Sequence, residues 1–438
     1  MQTLGPFGGA VLAGALGVIV SVNGWARSDP SRAGANVSSC REPITLTPDL
    51  VPMIQASAES GDPQAECVLG IAYHHGVSVE RNDTAAVKWL LKASEAGLAL
   101  AQSQLGYLYQ SGIGVAQNDA EAFKWYSKSA EQGLAKGENN LGYMYFQGRG
   151  GAVQSYERAA LWYRRAADQG LPAAETNLGM LYRYGQGVTR DYAEAMRWFL
   201  KAAEQAHGQA EAELGLMYLH GEGVPQDYAK AAAFFQAGAR DGDASAESCL
   251  GYLYVNGYGV KRDYEAALKW TRAAADRGIP AAEQNLGYIY EGGLGTPTDL
   301  HEAFRWYNEA AAAGLAESQN TVGYFLAVGK GIPRDYVQAA KWFRKAAEQG
   351  HMAAQVNLAG AYATGRGMPL DYVEAYMWFS VAQDNGSKDG GKALALLRGV
   401  MTPKQLQEGK SRAFGWRKQS TAPEFIDASS LRGKTLGQ

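Results

Sequence analysis

The sequence predicts an all-α solenoid of tandem helix pairs, and three observations carry the prediction. A Leu-Gly step recurs at Leu69-Gly70, Leu105-Gly106, Leu141-Gly142, Leu178-Gly179, Leu214-Gly215, Leu250-Gly251 and Leu286-Gly287, with altered copies at Val322-Gly323 and Leu358-Ala359. Neighbouring copies lie 36 residues apart, except for one interval of 37 whose extra residue falls at Arg149-Gly150-Gly151. Inside each copy, apolar residues follow helical spacing twice, once on either side of a glycine-rich loop. A fixed period of this length means stacked supersecondary units, each burying its apolar face only on its neighbours.

The first helix of each period, helix A, puts the leucine and the residues three and four later on one face, as in Leu250, Leu253 and Tyr254. A small residue stands four positions before the leucine, for example Ala101, Ala174 and Ala282, where a neighbouring backbone can come close. The glycine after the leucine costs about 1 kcal/mol inside a helix relative to alanine. Close approach of another helix is the expected return.

A Gly-x-Gly loop follows, as in Gly185-Gln186-Gly187 and Gly257-Tyr258-Gly259. A dinucleotide cradle needs a preceding strand and a third glycine opening a helix, so a left-handed helix cap and a tight turn are expected instead. Helix B then opens on a capping side chain in every copy: Asn82, Asn118, Ser155, Asp191, Asp227, Asp263, Asp299, Asp335 and Asp371. Alanine stands four residues after the cap. Seven after it stands a large aromatic, from Trp89 through Trp198 and Phe234 to Trp378, expected to interlock with the tyrosine of helix A. Glycine closes most B helices, and Ala206 takes its place once.

These residues (Ala-Glu-x-x-Leu-Gly-x-x-Tyr, Gly-x-Gly-Val, Asp-Tyr-x-x-Ala and Trp-(Phe/Tyr)-x-x-Ala-Ala-x-x-Gly) resemble Sel1-like repeats, relatives of tetratricopeptide repeats. The resemblance covers about residues 48–386. It implies a right-handed α/α superhelical solenoid that serves as an adaptor or scaffold for a protein or peptide, with the A helices on the concave side. Cysteine-rich relatives have been linked with penicillin binding and β-lactam hydrolysis, so a hydrolase acting on β-lactams or peptidoglycan is the alternative. This chain lacks their paired cysteines and shows no Gly-x-Ser-x-Gly or partnered Ser-x-x-Lys set.

With 438 residues the chain has length for two or three compact domains, but the repeat argues for one elongated array. A net charge of −3 gives no basic excess to attract nucleic acid. Neither the three cysteines nor the six histidines show metal-ligand spacing, and no cofactor is expected. Two readings of the cysteines stay open. Cys40 and Cys67 pair in an oxidising compartment and staple the leading segment to the first repeat, or all three thiols are free.

Residues 1–26 contain an apolar run, Gly5 to Val22, and then Gly24-Trp25-Ala26. This resembles a secretory signal cleaved after Ala26, which would place the chain in the periplasm. The alternative is an uncleaved anchor in the inner membrane, the one membrane contact expected. Residues 27–46 read as a linker. Thr47-Pro48-Asp49 is expected to open a capping helix over 47–61, before nine repeats over 62–386. Two helices over 387–417 are expected to seal the far end, with a disordered tail over 418–438.

Helical rotation places the positions two before and two after the leucine away from the packed face. The latter holds Tyr107, Tyr143, Tyr252, Tyr288 and Tyr324, with Met180 and Leu216 between them, and Asn140, Asn177 and Asn285 stand just before the leucine. Rings and amides in a ladder suit an extended peptide, the rings giving apolar area and the amides pairing with its backbone. Against this stands packing of the tyrosines between adjacent A helices, with only the hydroxyl wet. Glu or Gln stands three before the leucine in all nine copies, from Glu66 to Gln355, and that indifference to charge favours a structural hydrogen bond over metal binding.

Overall fold

The computed structural model describes Cys40 and residues 46–420, which form 21 helices and no strand. Residues 1–26, read as a signal or anchor, most of the segment read as a linker and the last 18 residues lie outside the described residues. The chain divides into two compact units at the step from Gln226 to Asp227. The first holds a leading helix, Val51–Glu59, then the A helices Pro63–His75, Ala99–Ser111, Ala135–Gln147, Pro172–Tyr184 and Gly208–His220. Its B helices are Asp83–Glu95, Asp119–Glu131, Tyr156–Asp168 and Tyr192–Ala203. The second unit starts with the B helix Tyr228–Arg240 and carries pairs from Ala244–Asn256 with Tyr264–Ala275 through to Met352–Thr364 with Tyr372–Asp384. Lys388–Arg398 and Pro403–Ser420 follow.

Local chemistry sets these boundaries. Every B helix begins on the expected Asn, Ser or Asp, whose side chain accepts from a first-turn amide. Every A helix ends on a left-handed glycine, such as Gly185 at φ 69°. The second glycine of the loop meets the preceding repeat: a Cβ on Gly295 would lie 2.6 Å from the Tyr264 carbonyl oxygen. The other B helices also close on a left-handed glycine, such as Gly170 at φ 80°, and at Ala206 that turn is made without glycine, at φ 55°. That conformation costs an L-residue about 1–2 kcal/mol, partly offset by the looser unfolded chain of glycine. Ala206→Gly is therefore expected to stabilise the fold by about 0.5–1 kcal/mol, seen as a higher urea midpoint; a lower midpoint would refute the strain.

The leading and trailing segments depart from expectation at their edges. Thr47 caps no helix: residues 48–50 form a turn, the Leu50 amide donates to the Thr47 carbonyl, and the helix starts at Val51. Pro52, not Pro48, takes the first-turn place where a missing N–H does no harm. At the other end Thr402 and Gln405 form a reciprocal capping box. The helix they open runs to Ser420, so residues 418–420, read as tail, are helical. Trp416 from this helix lies 4.7 Å from Trp378, and Gly409 lets it pass against Tyr376.

The helix-A glycine does admit close approach of another helix, and the side chain that docks on it is the residue after the tryptophan position. A Cβ on Gly106 would lie 2.7 Å from the Tyr126 ring, one on Gly142 2.8 Å from Tyr163, and one on Gly179 2.7 Å from Phe199. These rings are fully buried. The tryptophans are buried or half-buried beside them, and most carry a cation over the ring from their own helix, as Lys128 does at 4.5 Å from Trp125 and Lys201 at 4.1 Å from Trp198.

Candidate interaction face

Within each unit successive A helices touch, as Ala99–Ser111 does with Ala135–Gln147 and Ala244–Asn256 with Pro280–Gly292. No two successive B helices make a comparable contact among the described residues. The A helices thus lie on the tighter side of each stack, and the candidate residues lie on them. Tyr107, Tyr143, Tyr252 and Tyr288 are half-buried between neighbours, with Tyr252 edge-on to Tyr258 at 6.0 Å. Tyr324 is 49% exposed. Met180 and Leu216 are buried.

The amides sit deeper than the tyrosines. Asn140 and Asn177 are buried, and Asn177 donates through Nδ2 to Asn139 of the preceding A helix at 2.9 Å. Asn357 repeats the bond to Asn320, also at 2.9 Å. The rung joins the residue just before one leucine to the residue two before the previous leucine. Asn285 has no such rung, because Ser248 stands where Asn139 and Asn320 stand. It is 1% exposed, and it alone among the described residues has both side-chain polar atoms buried without a partner.

The buried Glu/Gln row is structural. Thirty residues later, at the end of helix B, a side chain reaches back to it and to a loop carbonyl of the previous repeat. Gln132 Nε2 donates to Gln102 Oε1 at 2.8 Å and to the Gly97 carbonyl at 2.9 Å. Arg277 bridges Glu247 at 3.2 Å and the Gly242 carbonyl at 2.7 Å in the same way. This clamp was invisible in the sequence because its two ends belong to different helices.

At Glu283 the clamp position is Ala313, and Glu283 Oε2 is buried without a partner. Burial first, and then the nearby Glu309, raise its carboxyl above the ordinary carboxylate range. A raised folded value means that this carboxyl favours the fold most below its unfolded pKa, and destabilises it as pH rises through the folded one. Glu283→Gln is expected to gain about 1–3 kcal/mol at pH 7 and to remove that pH dependence. The introduced amide would donate to the Ala275 carbonyl, as Gln319 does to Ala311 at 3.2 Å. Urea titrations at pH 4 and pH 8 that gave no gain at the higher pH would refute it.

A second contact also links successive repeats. The residue five after the leucine meets the middle residue of the next Gly-x-Gly loop. Arg183 is 4% exposed and binds Glu222 at 2.6 Å, and also Glu213. At the matching place the polarity reverses: Glu291 accepts from Lys330 at 2.5 Å. Between these two sites, Val255 and Leu294 share an apolar cluster.

Among the described residues no cluster of His, Cys, Asp and Glu has the makings of a metal site, and no helix is long and apolar enough to cross a membrane. Tandem helix pairs stacked in this way make a scaffold-type fold, which generally mediates protein–protein interaction. The Sel1 repeat family model matches nine successive segments, from 63–98 to 353–387, and the chain belongs to that family. The crystal structure of a Sel1 repeat protein from Oxalobacter formigenes is 35% identical over 60% of this chain and 99% of that one, with a TM-score of 0.50. A protective antigen of uropathogenic Escherichia coli strains, displaying an SLR fold, is 30% identical over 89% of this chain and 98% of its own, with a TM-score of 0.44. No curated protein sequence matches the chain.

Proposed function

We propose that this protein is an exported adaptor that holds a protein or peptide segment along its A helices, in envelope signalling or assembly. The partly open tyrosines on those helices, Tyr107 and Tyr143 in one unit and Tyr252, Tyr288 and Tyr324 in the other, carry the reading. Rings fixed by their neighbours offer contact area at low entropic cost. The Cys40–Cys67 disulfide, with Cα atoms 5.9 Å apart, fits an oxidising compartment and so supports export. The N-terminus of the mature chain decides between signal and anchor: a start at Arg27 agrees with a cleaved signal, and an intact Met1 with an uncleaved anchor. Photo-cross-linkers placed on A and B helices in intact cells would identify the partner. Tyr252→Ala with Tyr288→Ala is then expected to weaken it at least tenfold, and unchanged affinity would end the proposal.

A further inference from the structure

We propose that the space between the A helices Pro280–Gly292 and Ala316–Val328 takes one basic side chain, arginine or lysine, of the bound segment, with the adjoining peptide group on Asn285. The proposal rests on the adaptor reading and locates its anchoring point. The space is a cavity of about 250 Å³ bordered by Asn285, Tyr288, Glu291, Glu317 and Tyr324. Pockets for whole small ligands run from roughly 300 to 1,000 Å³, so this one suits a single residue.

Asn285 supplies the first argument. Its donor and its acceptor are both buried without a partner, where its counterparts Asn177 and Asn357 bond to the preceding repeat. An amide left unsatisfied is a standing cost to the fold. Donor and acceptor side by side match the carbonyl and N–H of a peptide group.

Charge supplies the second. Two carboxylates border the cavity. Glu291 receives Lys330 at 2.5 Å and the Tyr307 hydroxyl at 2.8 Å. Glu317 is half-exposed and held by His351 Nε2 at 2.8 Å. Against these two carboxylates stands one permanent cation, the Lys330 ammonium, so the site carries a negative excess. Tyr288 and the exposed Tyr324 add π faces beside it. A guanidinium suits this pairing, because its planar fork grips a carboxylate while its face lies on a ring. An acidic or neutral side chain would leave the excess uncompensated.

The test uses the whole chain, labelled with ¹⁵N-asparagine, and three capped pentapeptides: Gly-Gly-Arg-Gly-Gly and its Gln and Glu analogues. Asn285→Leu identifies the side-chain amide signal by its loss. The arginine peptide is expected to shift that signal, the glutamine analogue to bind about tenfold more weakly, and the glutamate analogue not to bind. Glu317→Gln should weaken the arginine peptide about tenfold, and so should Asn285→Leu, followed through the Tyr324 ring signals. Asn285→Leu should also raise Tm by about 2–4 °C, because it removes an unsatisfied amide; that shift separates loss of binding from loss of fold. Equal binding of all three peptides, or of none, overturns the subsite. If the cross-linked partner binds both variants at full strength while Tyr252→Ala with Tyr288→Ala weakens it, the subsite fails and the adaptor reading stands.

Discussion

Phe199→Ala is expected to lower the local stability of its helix pair by about 3–5 kcal/mol. The Phe199 ring is fully buried and lies where a Cβ on Gly179 would come within 2.7 Å. Removing it leaves a void against a backbone that has no side chain to fill the space. In a stack of repeats each unit leans on its neighbours, so the loss is read locally rather than as one global transition. Hydrogen exchange of the amides over 172–203 should accelerate by roughly 10²–10⁴. The same contact is tested from the other side by Gly179→Ala. Its methyl gains about 1 kcal/mol of helix propensity but forces the ring aside at about 1–3 kcal/mol, so a net loss is expected. Exchange rates unchanged in both variants would mean that this contact does not hold the pair together.

Arg183→Ala is expected to cost about 3–5 kcal/mol, because it leaves carboxylates in a half-closed site without their guanidinium. Burial opposes the charge on Arg183, but the Glu213 and Glu222 carboxylates outweigh it and hold the group firmly protonated. Arg183 also lies over the Tyr184 ring at 5.2 Å, so the substitution removes packing as well as charge. Replacing Arg183, Glu213 and Glu222 together by apolar residues of similar volume should cost much less than the single change. Urea denaturation of the two variants decides this. A single variant within 1 kcal/mol of the parent would show that water reaches both carboxylates at little cost.

The repeat, the caps and the loop glycines were legible in the sequence because each is local: Asp191 caps its own helix and Gly185 ends its own. The docking partner of Gly179 was not. Trp198 and Phe199 are adjacent, both are aromatic, and periodicity cannot say which points at the glycine and which lies beneath Lys201. The clamp from Arg277 to Glu247 and the Asn177–Asn139 rung join positions 30 or more residues apart, which only the stacking brings together. At the candidate site the sequence supplied the tyrosines and amides but not their depth. Asn177 and Asn285 are the same residue in the same register, and the difference between a used and an unused amide comes from whether Asn139 or Ser248 stands one repeat earlier.

The paired residues between A helices and the following loops bear on assembly. Arg183 faces Glu222, Glu291 faces Lys330, and Val255 shares its cluster with Leu294, so these three junctions carry three different locks and keys. A permuted array that set Arg183 against Lys330, or Glu291 against Glu222, would bring like charges together. The repeats are therefore addressed rather than interchangeable. An engineer who cuts and re-splices this chain must move each lock together with its key.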